Sequence, residues 1–222
     1  MPEDENSLFS SIASRYTHLA TPNGGLIPIL IQDDIEDSQV LHIRGILESY
    51  LEDVNGTQWG SDKSSISNAI ASSNSMIFLL NDDSEINNSD LISLFDLGVD
   101  GHIIISDNII SEGVLDYINC LSNDLSYQII LDFIYEHGIQ IVIPGILNQL
   151  EESMIYSMEN NIFEPSSQTL EENYILRYFK LGLEVYYGLW EHDPNGDGFA
   201  GDHEYGLINR NQLLNGDSSL YE

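Results

Sequence analysis

Apolar residues fall into two alternating patterns along this chain, and together they outline its fold. Val40, Ile43, Leu47, Tyr50, Leu51 and Val54 recur with the period of a helix, and Ile66, Ala69 and Ile70 mark a shorter one. Helical spacing returns at Ile129, Ile130, Phe133, Ile134 and His137, with Gly138 placed as a C-terminal cap. Two further helices follow, one through Leu147, Leu150, Met154 and Met158, the other through Leu170, Tyr174, Tyr178, Leu181, Val185 and Leu189. Between them lie short apolar runs that read as strands. Leu26–Ile31 is interrupted by Pro28 and reads as a first or edge strand. Met76–Leu80, His102–Ser106 and the β-branched run Ile139–Ile143, stopped by Pro144-Gly145, complete the set. The order β-α-α-β-β-α-β-α-α predicts a helix-rich single α+β domain with a small sheet. Its last long helix runs into the segment that begins at Asp193.

Polar stretches divide the chain. Residues 1–24 end in Thr-Pro-Asn-Gly-Gly and read as a loosely packed polar leader. The α+β core is expected over 25–160. The long helix, the Asp193 segment and a weakly patterned tail occupy 161–222, after the linker candidate Glu164-Pro165-Ser166-Ser167. Gln32 to Asp37 can cap the helix that follows them, and residues 81–90 read as an exposed acidic loop.

Charge changes the picture of partners. The 222 residues include 37 acidic and 6 basic side chains, a formal net charge of −31, with 42% hydrophobic residues. That surface repels phosphate backbones and anionic membranes, which excludes nucleic-acid binding. It favours cations, a basic protein partner or self-assembly, and saline surroundings that screen the repulsion. Cys120 is the only cysteine, so no intrachain disulfide is possible, and no basic neighbour stabilises its thiolate; it reads as a buried thiol. No apolar run is as long as a membrane span. The start Met-Pro-Glu-Asp-Glu-Asn lacks a signal-peptide pattern. Either the protein is intracellular or a signal has been removed; a weak single calcium loop favours the second, and with it an extracellular or cell-surface location.

The strongest chemical signal is Asp-Pro-Asn-Gly-Asp-Gly-Phe-Ala-Gly-Asp-His-Glu at 193–204. Asp193, Asn195 and Asp197 stand at positions 1, 3 and 5 of a twelve-residue frame, with Gly198 at position 6 and Glu204 at position 12. This is the spacing of a calcium loop, in which alternate side chains turn oxygens inward and the glycine permits the sharp turn. Phe199 supplies a backbone carbonyl, and Glu204 both carboxylate oxygens. The segment resembles an EF-hand loop over these positions. Ala200 replaces the branched aliphatic that pairs one hand with another, and no second copy occurs, so a single structural calcium site is implied. A metal-free turn rich in Asx and Gly is the plainer alternative.

A second resemblance covers residues 26–139. The order strand, helix, strand, strand and then a helix with polar residues on one turn resembles the core of zincin metallopeptidases. Together with the turn at Trp59-Gly60-Ser61-Asp62-Lys63, the chain also looks like a degenerate form of that core in secreted bacterial proteins. Where a zincin carries His-Glu-x-x-His, this chain has Asp132-Phe133-Ile134-Tyr135-Glu136-His137-Gly138. One histidine and two carboxylates make a poor zinc set, because catalytic zinc takes about three protein ligands, commonly with two histidines among them. His42 reads as a satisfied, partly buried histidine, His192 and His203 as exposed residues, and Tyr186, Tyr187 and Trp190 as packing. No nucleophile elbow, phosphate loop or dinucleotide fingerprint occurs. The leading expectation is a non-catalytic, acidic, calcium-binding protein with a binding or assembly role; the alternative is a divergent zincin-like metallohydrolase. The folded positions of His102, Glu136 and His137 discriminate between them.

Overall fold

A computed structural model describes residues 3–109, 124–167, 169–170, 173–193 and 196–221. The fold is α+β, with abundant helix and a small four-stranded mixed sheet. The chain packs as two compact units, the first reaching Val142 and the second beginning at Ile143. Cys120 lies outside the described residues.

The first unit is built on strands β1 (Arg15–Ala20), β2 (Leu26–Ile31), β3 (Ser75–Leu80) and β4 (Asp100–Ile105), in that order across the sheet. β1 and β2 form an antiparallel hairpin, whereas β2, β3 and β4 run parallel. β3 is buried along its whole length, as a central parallel strand covered on both faces must be. Leu30, Met76, Phe78 and Leu80 pack on one face with Ile12, Leu91 and Leu94, from helices α1 (Glu3–Ile12) and α4 (Ser89–Asp96). The other face carries Ile27, Ile29, Ile77 and Leu79, all fully buried. Helices α2 (Asp37–Leu51), α3 (Ser64–Ser72) and α5 (Ser126–Ile134) pack on that side. The Gln39 side chain accepts the Glu36 N–H at 3.1 Å and closes the start of α2, the capping expected near Asp37.

Three readings of this unit change. Residues 15–20 are not part of a loose leader: they form a strand whose backbone is paired with β2 from Arg15 to Ala20. The segment after residue 81 forms a short 3-10 turn, Asp83–Asn87, and then α4, whose start is capped by the Asn88 side chain. Ile139–Ile143 is not a strand. α5 continues without a break into a π-helical turn, Tyr135–Ile139, and a last helical turn, Gln140–Val142. Gly138 is therefore not a cap. It lies inside the π turn against α3, where an added Cβ would meet Ile66 Cγ2 at 2.7 Å and Ile70 Cγ1 at 3.0 Å.

The second unit contains α6 (Ile146–Glu159), α7 (Tyr174–Tyr186), α8 (Arg210–Gly216) and α9 (Ser218–Tyr221). Its compact packing begins at Ile143, ahead of the boundary expected at residue 160. The core gathers Met154, Phe163, Tyr178, Leu181, Val185, Trp190, Tyr205 and Leu213. At its centre is Asp217, wholly buried between α8 and α9. Asp217 Oδ2 accepts the hydroxyls of Tyr178 at 2.6 Å and Tyr205 at 2.9 Å, and also that of Ser157; Oδ1 accepts Ser153 at 3.3 Å. One carboxylate thus ties α6, α7 and the C-terminal helices together. Burial, reinforced by the negative charge of Asp217, holds both phenols far above their ordinary value, so they stay protonated donors.

Asp217→Ala leaves four buried hydroxyls without their acceptor and is expected to destabilise the unit by about 3–5 kcal/mol. Asp217→Asn keeps an acceptor oxygen and should cost less. Urea unfolding followed by the fluorescence of Trp190 measures both. A loss below about 1 kcal/mol for the alanine variant would remove Asp217 from this role.

Candidate functional site

Among the described residues, one set of three His, Cys, Asp or Glu side chains brings its ligand atoms within 4.8 Å of one another: His102, Glu136 and His137. His102 comes from the third position of β4, and Glu136 and His137 come from the π turn that ends α5. The strand register pairs His102 with Ile77, which puts the imidazole on the sheet face that α5 covers. The other end of α5 is fixed by Asp124. Its Oδ1 accepts the Ser126 N–H at 2.9 Å and its Oδ2 meets His42 Nε2 at 2.6 Å, joining α5 to α2. His42 is thereby satisfied, as its sequence context predicts.

Phe133 fixes the two imidazoles. Its ring lies 5.7 Å from that of His102 and 5.1 Å from that of His137, and the histidine rings stand edge to face at 5.6 Å. The wider turn of a π helix also brings the successive side chains of Glu136 and His137 closer in direction than an α-helix does, and such turns gather at functional sites. His137 is only 6% exposed, and its Nε2 has no hydrogen-bond partner; His102 Nδ1 is likewise buried without one. An unsatisfied buried nitrogen costs on the order of 1–3 kcal/mol, and coordination to a metal would satisfy that of His137.

The electrostatics suit a metal ligand. Burial pushes His102 below the ordinary histidine value, more strongly than Glu136 pulls it up. The ring is therefore neutral at pH 7. Its Nε2 stands 3.7 Å from Glu136 Oε2, beyond hydrogen-bond range. Ligands on a tetrahedral ion with bonds near 2.0–2.1 Å sit about 3.3 Å apart. The cluster is within about 1.5 Å of that spacing. The Glu136 side chain is 52% exposed and that of His102 18%, so a solvent molecule can reach the point between them.

Sequence reading found Glu136 and His137 but judged their set too poor in nitrogen. The missing donor, His102, comes from a strand distant in sequence. Its local signal is weak: a histidine in an apolar strand, in step with the positions that face a helix.

The twelve-residue frame folds differently from its expected liganded form. Asp193 Oδ1 accepts the N–H groups of Asp197 at 3.1 Å and Gly198 at 3.2 Å, and Gly198 adopts φ +77°, which gives the tight turn the frame requires. Phe199 lies on the surface, Asn195 is outside the described residues, and Asp197 Oδ2 faces His203 Nδ1 at 3.1 Å. Glu204, at 3% exposure, is engaged by groups outside the frame. Its Oε2 accepts Arg177 Nε at 2.9 Å and Arg177 Nη2 as well, while Oε1 accepts the Ser166 N–H at 3.0 Å. Asp193, Asp197 and Glu204 do not converge as His102, Glu136 and His137 do. Ala200 pairs with Tyr205 within the same segment, through N–H to carbonyl bonds of 2.7 and 3.1 Å. Trp190 is buried and donates to Glu184 at 2.7 Å, and Tyr186 lies under the Arg210 guanidinium at 4.1 Å.

Among the described residues, no single helix is long and apolar enough to cross a membrane. No family profile, curated protein or solved structure matches the chain.

Proposed function

We propose that this chain is a metal-dependent hydrolase, holding one divalent ion of the zinc class between His102, Glu136 and His137. The observation that carries the reading is the convergence of those three side chains from two separate elements, with a buried imidazole nitrogen left unpartnered. Two imidazoles and one carboxylate form the donor set of a catalytic zinc centre, which keeps a remaining position for water. Zinc lowers the pKa of that water to about 7 and polarises a bound carbonyl. The exposed side of Glu136 leaves a route for substrate. This convergence supports the metallohydrolase reading over the non-catalytic one. The centre differs from a zincin in taking its two histidines from a strand and a helix.

Purified protein is expected to retain about one equivalent of zinc per chain by elemental analysis. His102→Ala and His137→Ala should each abolish retention while the circular dichroism stays unchanged. Glu136→Gln should weaken it by about tenfold or more. Hydrolysis of an activated ester or amide should be lost with chelator and restored with zinc. Zinc retained equally by both histidine variants would sink the proposal.

A second reading rests on the Asp193 carboxylate, which already gathers the amides of Asp197 and Gly198. The loop at 193–204 would take calcium through Asp193, Asn195, Asp197 and the Phe199 carbonyl, with Glu204 exchanging Arg177 for the ion. Breaking that buried pair makes binding weak, on the order of 10⁻³ M. Thermal melts should then rise in millimolar calcium over chelator at matched ionic strength, and Asp193→Ala should remove the rise. Identical melts in calcium and chelator would leave the segment as a turn closed by Arg177.

A further inference from the structure

One edge of the sheet is β1, and it belongs to the longest stretch of this chain without acid. The 37 acidic side chains average one in every six of the 222 residues, yet none falls between Asn6 and Gln32. Asp37, which reaches β1 from α2, is paired with Arg15 at 2.6 Å. The strand β4, by contrast, begins at Asp100 and is soon followed by Asp107.

Pro28 decides which backbone groups of β1 stay open. It has no N–H, so the His18–Pro28 pair cannot exchange ladder bonds. Antiparallel pairs alternate between bonded and non-bonded. Thr21, three residues beyond His18, donates to the Gly25 carbonyl at 3.0 Å, so Thr17 and Leu19 share its bonded phase. Tyr16, His18 and Ala20 then turn their N–H and C=O groups to the outer side, where no strand pairs among the described residues. Edge strands are commonly blunted by lysine, proline or a projecting charge. β1 has neither lysine nor proline, and its Arg15 is held toward Asp37 and the Ile35 carbonyl. Tyr16 is 53% exposed and stacks with His18 at 5.5 Å. Leu26, 43% exposed, lies opposite Ala20 on the same face.

We infer that β1 is the docking edge for a second copy of this chain, joined antiparallel across a two-fold axis at His18. The strand complements its own reversal. With the two His18 residues opposite each other, Tyr16 of one copy meets Ala20 of the other, and its ring covers the adjacent Leu26. This register pairs all three outward residues, and each pair exchanges two N–H···O bonds. A basic partner would find no carboxylate on β1 to bind. Two chains of charge −31 repel each other, so the acid-free edge is where a copy can approach, and salt that screens the remaining charge promotes association.

The test is sedimentation equilibrium of the 222-residue chain over a concentration series, with chelator present so that no metal bridges two copies. A two-chain species is expected at high salt with Kd on the order of 10⁻⁵–10⁻⁴ M, as suits an interface below about 1,200 Å². At low salt the association should be at least about tenfold weaker. Tyr16→Glu adds a carboxylate to the seam and uncovers Leu26, and should weaken association about tenfold or more with unchanged circular dichroism. His18→Pro removes an N–H that β2 does not use and should act likewise. In a Cys120→Ser background, His18→Cys should give a disulfide-linked dimer under mild oxidation, because facing residues of a bonded pair lie about 5.5 Å apart at Cα. Ala20→Cys, whose counterpart lies four residues along the seam, should not. A chain that stays monomeric at every salt concentration, a dimer indifferent to both edge substitutions, or one bridged at residue 20 and not at 18 overturns the proposal. So does a monomer that takes up a fluorescent Thr-Val strand peptide instead, which would make β1 an edge for another protein.

Discussion

The pairing of β4 on the buried strand β3 is the constraint on which the candidate centre depends. β3 has no solvent-facing side, so its partners must present alternate residues to two different helical layers. The register that sets His102 beside Ile77 sends Ile103 and Ile105 to the α1 and α4 side. A slip of one residue would exchange the faces, burying an imidazole among Phe78, Leu91 and Leu94 and turning isoleucines toward α5. The cost of that exchange, in apolar burial lost and polar burial gained, keeps His102 on the α5 side of the sheet. The strand half of the candidate cluster is thus positioned by the packing of the whole sheet.

The helical part of the partner set is held from two directions. Asp124 fixes the beginning of α5 to His42, and Gly138 lets its end lie directly on α3. Between those points Phe133 fills the space below both imidazoles. Glu136 and His137 are adjacent in sequence, yet both turn toward one strand residue because the backbone there is π-helical.

Much of this was legible in the amino-acid order, and the limits have physical causes. Where burial is one-sided and local, as on α2 and α6, periodicity alone marks the helix. Met76–Leu80 was equally plain, since an apolar run bounded by polar residues has few other uses. β1 was hidden because Arg15, Tyr16, Thr17 and His18 leave no apolar run at this sheet edge, and its strand state comes from backbone pairing rather than apolar side chains. Ile139–Ile143 looked like a strand by composition, but helix propagation from α5 outweighs the modest β preference of isoleucine and valine. The calcium-type frame was read from spacing that the turn reproduces. Spacing carries no record of Arg177, whose guanidinium gives Glu204 the positive partner that the frame assigns to an ion. His102 was recognisable only as a residue whose position would decide matters, because its convergence with Glu136 is a tertiary fact.

The tyrosines around Asp217 give the second unit an alkaline ceiling. In the unfolded chain a phenol loses its proton near its ordinary value of 10, whereas Tyr178 and Tyr205 hold theirs well beyond it. The stability this difference represents is complete below that value and drains away as the pH rises past it, since only the unfolded chain then gains by ionising. Phenolate absorbance from these two rings would therefore appear together with the collapse of the helices they join. An acidic chain that invites attention to carboxylates carries, in a wholly buried one, a structure whose failure is set by its tyrosines.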